Sequence, residues 1–139
     1  MDAERGAAAR IDHRVHFLGF VAGKDKSAAY HMARLLVVPS RQEAMSIVAL
    51  EAGICGIPVM LTDQCGFGEI KVVDPRFEVA ATVEALAEGV LNLLGQPDSL
   101  DAAAFKLKQF VSQKYLWASL VERYLDLYRS LIKGVEANN

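Results

Sequence analysis

Glu43 and Glu51, with seven residues between them, are the positions in this 139-residue chain whose spacing most suggests chemistry. Glu51 interrupts IVALEAGI, an apolar run that reads as a helix buried on most of its circumference. An unpaired carboxylate in such a place costs several kcal/mol or is neutralised. Either a protein donor or a ligand hydroxyl must therefore meet it. Glu43 lies eight residues earlier, about 12 Å along a helix axis, where a loop gives way to the helix. The backbone N–H groups around Ala44–Val48 are the free donors of that helix start, and with the helix dipole they suit a phosphate. Acids beside a phosphate site make sense if the phosphate carries a sugar on one side and a nucleoside on the other. One carboxylate then accepts hydrogen bonds from sugar hydroxyls and the other from a ribose diol. Two structural alternatives stand beside this: a dipole-favoured glutamate in a first turn for Glu43, and a buried structural hydrogen bond for Glu51.

The elements that must position these acids follow from pattern. Leu35–Val38 (LLVV) and Pro58–Leu61 (PVML) are short continuous apolar runs, which predicts buried parallel strands. A helix over Met45–Cys55 joins them, with Ser46 available as a cap and Gly56 and Pro58 as its stop. Strand, helix and strand make a βαβ unit whose ligands gather beyond the carboxyl ends of the strands, where Pro39 and Ser40 lie. Val15–Leu18 (VHFL) predicts an earlier strand running into Gly19-Phe20-Val21, and Ser27 predicts the cap of a helix over Ala28–Ala33, completing a second βαβ unit. The loop Asp63–Glu69 carries two glycines, where sugar or phosphate could approach the backbone closely, or where the chain simply turns.

Further on, Lys71–Asp74 predicts a short edge strand, and Thr82 the cap of a helix whose core stripe is Val83, Leu86, Ala87, Val90, Leu91 and Leu94, closed by Gly95 and Pro97. Asp98 or Ser99 opens another helix anchored by Phe105, Phe110 and Val111, with Lys106, Lys108 and Lys114 towards water. Trp117–Lys133 predicts a terminal amphipathic helix striped by Trp117, Leu120, Val121, Tyr124, Tyr128 and Leu131. That stripe must cover something, and 117–131 is a candidate surface for self-association. A membrane-surface role is at most peripheral, given the mixed charge opposite.

Several of these pieces in fixed order resemble a known family. Pro39-Ser40-Arg41-Gln42-Glu43, then Glu51-Ala52, Gly56-Ile57-Pro58-Val59 and Gly66-Phe67-Gly68-Glu69 look like the donor-binding half of the retaining group 1 glycosyltransferases. The resemblance runs from about Val15 to Leu131. It implies an α/β, Rossmann-like three-layer domain with a central parallel sheet, the C-terminal half of a GT-B fold, N-terminally truncated. Residues 1–14 would be a remnant or flexible lead-in, and 15–139 a partial nucleotide-sugar-binding domain. Glu43 resembles the catalytic-centre acid that contacts the donor sugar, and Glu51 the acid that binds the nucleotide ribose. Ser40 and Ala44, Met45, Ser46 and Ile47 resemble the segment that meets donor sugar and diphosphate, and Phe20 and Val21 the backbone beside the nucleotide base. The family commonly has Gly-aromatic-Gly after the first acid, whereas this chain has Ala44-Met45-Ser46.

Composition excludes other classes. With 53% hydrophobic residues and a mean hydropathy of +0.20, the chain has the makings of a packed core. A formal charge of −2 and a pI near 5.9 leave no electrostatic footprint for nucleic acid. Cys55 and Cys65 lack CxxC spacing, and His13, His16 and His31 lack metal-ligand spacing, so no metal is expected. No G-x-G-x-x-G follows a strand, against a dinucleotide-dependent oxidoreductase. With neither a signal peptide nor a spanning segment recognised, a cytoplasmic location is the default expectation. The expected function is the donor-binding part of a retaining glycosyltransferase, with a nucleotide-sugar as substrate, no cofactor, and an acceptor-binding N-terminal domain absent from this chain. The alternative is a non-catalytic nucleotide-binding or interaction subunit that pairs with a separate chain.

Overall fold

The computed structural model describes residues 12–136. Most of the expected lead-in over 1–14 therefore lies outside the described residues, apart from a 3-10 turn at Asp12–Arg14. The elements that follow are α1 (Gly23–Met32), β1 (Leu36–Val38), α2 (Ile47–Ile54), β2 (Val59–Thr62), α3 (Ile70–Val73), β3 (Glu78–Val79), α4 (Val83–Leu94), α5 (Pro97–Lys114) and α6 (Trp117–Glu136). The sheet is parallel in the order β1-β2-β3, with Leu36 opposite Val59 and Leu61 opposite Glu78. All four residues of β2 are buried, as the apolar run PVML requires of a central parallel strand.

Both faces of that sheet are covered by helices, and glycines let the helices pack closely, one on the sheet and one on a neighbouring helix. A β-carbon on Gly89 of α4 would stand 2.7 Å from Met60 Sδ and 3.1 Å from Val79 Cγ1. Side chains alternate along a strand, so Val59 and Leu61 face the other way, towards α2. That helix packs in turn on α5, where a β-carbon on Gly53 would stand 3.0 Å from Val111 Cγ2 and 3.2 Å from Leu107 Cγ. The expected stop of α2 is a Schellman motif: Ile57 N–H donates to the Ala52 carbonyl, Gly56 N–H to the Gly53 carbonyl, and Gly56 takes φ +81°.

Five local expectations are corrected. Val15–Leu18 is not a strand; Phe17 is 95% exposed, and no strand of the described residues pairs with this run. The second βαβ unit accordingly lacks its first strand. The helix before β1 starts at Gly23 instead of Ala28, because Gly23 at φ +55° turns the chain into the helix early and leaves Ser27 inside it, without a capping role. Lys71–Asp74 forms no strand: α3 makes one turn there with Ile70 buried, Asp74 accepts from Arg76 N–H at 2.9 Å, and β3 follows the 3-10 turn at Pro75–Phe77. Thr82 does cap α4, accepting from Ala85 N–H at 3.2 Å, yet Val83, Ala87, Leu91 and Leu94 are exposed. The inward face is centred on Gly89 instead, with Leu93 fully buried. In α5 the anchors are Leu100, Ala103, Ala104, Leu107 and Val111, whereas Phe105 is exposed.

The loops that leave β1 and β2 are sewn together at their carboxyl ends. Thr62 Oγ1 donates to the Ser40 carbonyl, and Glu43 N–H donates to the Gln64 carbonyl at 3.0 Å. Gly66, at φ +60°, lies so close to the Glu43–Ala44 backbone that a β-carbon would stand 2.1 Å from the Ala44 carbonyl oxygen. The space beside Gly66 thus holds the chain's own backbone. Gly66→Ala is expected to lower stability by about 2 kcal/mol or more, from left-handed backbone strain plus overpacking. A Gly68→Ala control, whose β-carbon would meet only Glu78 Oε2 at 3.7 Å, should cost less. Urea midpoints that fall equally for the two variants would contradict this account.

Candidate functional site

The β1–α2 loop and the first turn of α2 hold six of the predicted positions together: Ser40, Glu43, Ala44, Met45, Ser46 and Ile47. Ser40 closes the start of the loop on itself, its Oγ donating to the Gln42 carbonyl at 3.2 Å. Met45 packs against the core, while Ala44 and Ile47 are exposed. Ser46 occupies the N-cap position of α2, but its hydroxyl makes no capping bond. Ser46 Oγ and Glu43 Oε2 are instead the buried side-chain polar atoms left without a partner among the described residues. Such atoms are rare in folded proteins and mark a ligand, a water or stored strain. Here both lie at one helix N-terminus, beyond the carboxyl end of a parallel strand.

Glu51 lies elsewhere on α2, on the side that faces α1. Its Oε1 accepts from Lys26 Nζ at 2.7 Å and its Oε2 from Tyr30 OH at 2.8 Å. The carboxylate thus has the protein donors its apolar neighbours demanded. It is less enclosed than the sequence predicts: its side chain is 35% exposed, since α2 buries only Ala49, Ala52 and Gly53. The Lys26 hydrogen bond holds the Glu51 carboxyl below its ordinary value against the opposing effect of burial, and Tyr30 adds to the lowering. Burial, then the bond to Glu51, pushes the Tyr30 hydroxyl up to about 12, so it stays a donor across the physiological range. A carboxylate has about four acceptor positions, of which these donors use two. The rest open on a cleft of about 220 Å³ that Gly23, Ser27, Ile54 and Cys55 also line.

Phe20 and Val21 are not brought to this cleft. They line a separate one of about 380 Å³ with Asp25, Ala29 and Met32, on the opposite face of α1 from Lys26 and Tyr30, and Phe20 is 97% exposed. Sequence reasoning missed Lys26 and Tyr30. Four residues apart, they share a helix face, but only when the helix begins at Gly23 does Lys26 belong to it. Cys55 and Cys65 are free thiols, and among the described residues no group of three or more His, Cys, Asp or Glu is placed to hold a metal ion.

The comparisons with known proteins agree on one family. The family described as "Glycosyl transferases group 1" matches residues 2–96. The chain is 31% identical over 121 residues to an uncharacterized glycosyltransferase of Methanocaldococcus jannaschii, covering 86% of this chain and 31% of that protein. It is 26% identical to a glycogen synthase of Mycobacterium tuberculosis, covering 90% of this chain and 31% of that enzyme. A solved sucrose-phosphate synthase from Thermosynechococcus elongatus superposes with a TM-score of 0.77 at 25% identity, covering 94% of this chain and 33% of that one. The chain spans about a third of the length of the curated relatives it matches. Among the described residues no helix is long and apolar enough to cross a membrane.

The lowered Glu51 value sets a pH test. A carboxyl whose folded value lies below its unfolded one contributes stability at pH above the ordinary glutamate range and loses it as pH falls through the folded value. Lys26→Met should therefore be less stable than wild type at neutral pH, by no more than about 1 kcal/mol for so exposed a pair. The gap should narrow as pH falls below the ordinary glutamate range and close once pH is below the lowered Glu51 value, where Glu51 is protonated in both proteins. Unfolding curves at a series of pH values measure it, and a gap that persists in acid would assign the loss to packing.

Proposed function

The chain belongs to the group 1 glycosyltransferases, and on that premise we propose that it is the donor-binding part of an enzyme that transfers a sugar from a nucleotide-sugar to an acceptor with retention. Its α/β architecture around a parallel sheet is that of a GT-B half. In the proposed reaction the bond between the anomeric carbon and the diphosphate breaks. An acceptor oxygen bonds to the same face of that carbon, and the acceptor's proton leaves with the diphosphate. The observation that carries this reading is the unpartnered pair Glu43 Oε2 and Ser46 Oγ at the N-terminus of α2. A carboxylate oxygen there is suited to a sugar hydroxyl, and the neighbouring backbone donors are suited to a diphosphate.

Glu51 takes the second role. Lys26 and Tyr30 fix the plane of its carboxylate and leave acceptor positions for a ribose diol at the mouth of the cleft. The developing charge on the departing diphosphate can be met electrostatically by helix-terminal amides, and no cofactor beyond the donor substrate is proposed. The acceptor site would belong to the part of the enzyme that this chain does not span.

One observation favours the alternative of a non-catalytic subunit paired with a separate chain: the α6 stripe is exposed, with Trp117 at 78%. The two readings separate in one experiment. Ligand-observed NMR with UDP-, GDP- and ADP-sugars should detect binding of one nucleotide class by the wild-type chain. Glu51→Gln is expected to weaken that binding by about tenfold, as for loss of a hydrogen bond to a charged group. Unaltered binding in the variant would remove Glu51 from the site, and no binding by the folded wild type would move the subunit reading ahead.

A further inference from the structure

Glu69 ends the loop that leaves β2, and its Oε2 accepts from two donors on a distant part of the chain, Lys114 Nζ and Tyr115 OH, the latter at 2.6 Å. Tyr115 is the C-cap residue of α5, two residues before α6 begins. Its ring meets Phe67 edge-on at 5.6 Å, and Phe67 is buried. Lys114 also sits over the Phe110 ring at 5.4 Å. The loop between these anchors runs straight back to the candidate site, because Gly66, next to Phe67, is packed on the Glu43–Ala44 backbone without room for a β-carbon. Backbone against backbone leaves no slack, so displacement of Phe67–Glu69 must pass to Glu43 or open the seam.

We propose that Glu69 and Tyr115 are positioning residues for Glu43, acting through Phe67 and Gly66, so that the α5–α6 junction sets the placement of the first acid of the donor site. The functional part of this rests on the reading of Glu43 as a donor-site residue; the mechanical coupling does not. A Glu69 tie that served only to hold α3 in place would need no aromatic contact between Phe67 and the junction. The Tyr115 hydroxyl is pushed up to about 12 by burial and by the Glu69 bond, which keeps it a donor over the range in which the protein would work. Lys114 and then Tyr115 hold the Glu69 carboxyl below its ordinary value, keeping it an anion.

Tyr115→Phe removes the hydroxyl and keeps the ring on Phe67, and Glu69→Gln keeps the shape and removes the charge. Backbone amide spectra of the whole chain would be recorded for both variants. The expected result is that the Glu43–Ser46 resonances shift, while those of Met60 in β2 and Leu107 in α5 do not. Shifts confined to Phe67–Glu69 and Phe110–Trp117 would overturn the coupling, and unmoved core resonances would show that the variants fold. Titration with the nucleotide-sugar that the wild type binds should show affinity lost by roughly two- to thirty-fold in both variants, as for mutations along a coupled network. Undiminished affinity despite shifted Glu43–Ser46 resonances would overturn the positioning role. If the wild type binds no nucleotide-sugar, the donor reading fails, and the amide shifts still decide the coupling.

Discussion

The contact of Gly66 with the carbonyl of Ala44 is the constraint on which the rest of the candidate site depends. Two loops leave adjacent parallel strands at the same end of the sheet and must diverge into different helices. Here they are held in register by Thr62 on the Ser40 carbonyl and by Glu43 N–H on the Gln64 carbonyl. A residue with a side chain at 66 would have to separate them, since its β-carbon would meet the Ala44 oxygen far inside van der Waals distance. That seam fixes where Glu43 and Ser46 lie, and therefore why both can hold polar atoms without protein partners.

The two acids solve the problem of burial differently. Glu51 has an ion pair and a phenolic donor, so its charge is compensated within the protein and its remaining acceptor positions face a cleft. Glu43 has one oxygen left unsatisfied. Compensation gives Glu51 a fixed geometry at the expense of availability, whereas Glu43 keeps an acceptor whose unmet demand is itself a driving force for a hydroxyl. The uncompensated group is the one beside the helix N-terminus, where the backbone dipole favours a negative charge.

The strands on either side of α2 were legible because LLVV and PVML are apolar without alternation, and Gly56 with Pro58 fixes the helix end between them. The resemblance carried by Glu43, Glu51 and the Gly56–Val59 segment then led to the right family and fold. Where the reading failed, the missing information was not local. Val15–Leu18 has strand composition, but a strand exists only with a neighbour. Val72 and Val73 look like an edge strand until the loop hydrogen bonds that wind Ile70–Val73 into a turn are known. In α4 the contact line runs through Gly89, a residue that hydrophobic periodicity does not register, so the apolar stripe falls on a rotated face.

The same blindness to long-range partners explains the site residues that pattern did not reveal. Lys26 and Tyr30 lie 25 and 21 residues from Glu51, and Tyr115 lies 46 from Glu69. Lys114 reads as a solvent-facing lysine, yet it stands at the helix end that meets Glu69. Buried or half-buried carboxylates announce that a donor is needed and do not say from where. A glutamate within an apolar run is therefore informative about a requirement, and only the packing of α1 on α2, or of the α5–α6 junction on the loop after β2, determines which cation meets it. In this fold those two packings converge on the same short helix, Ile47–Ile54: one reaches its middle at Glu51 directly, the other its N-terminus through Gly66.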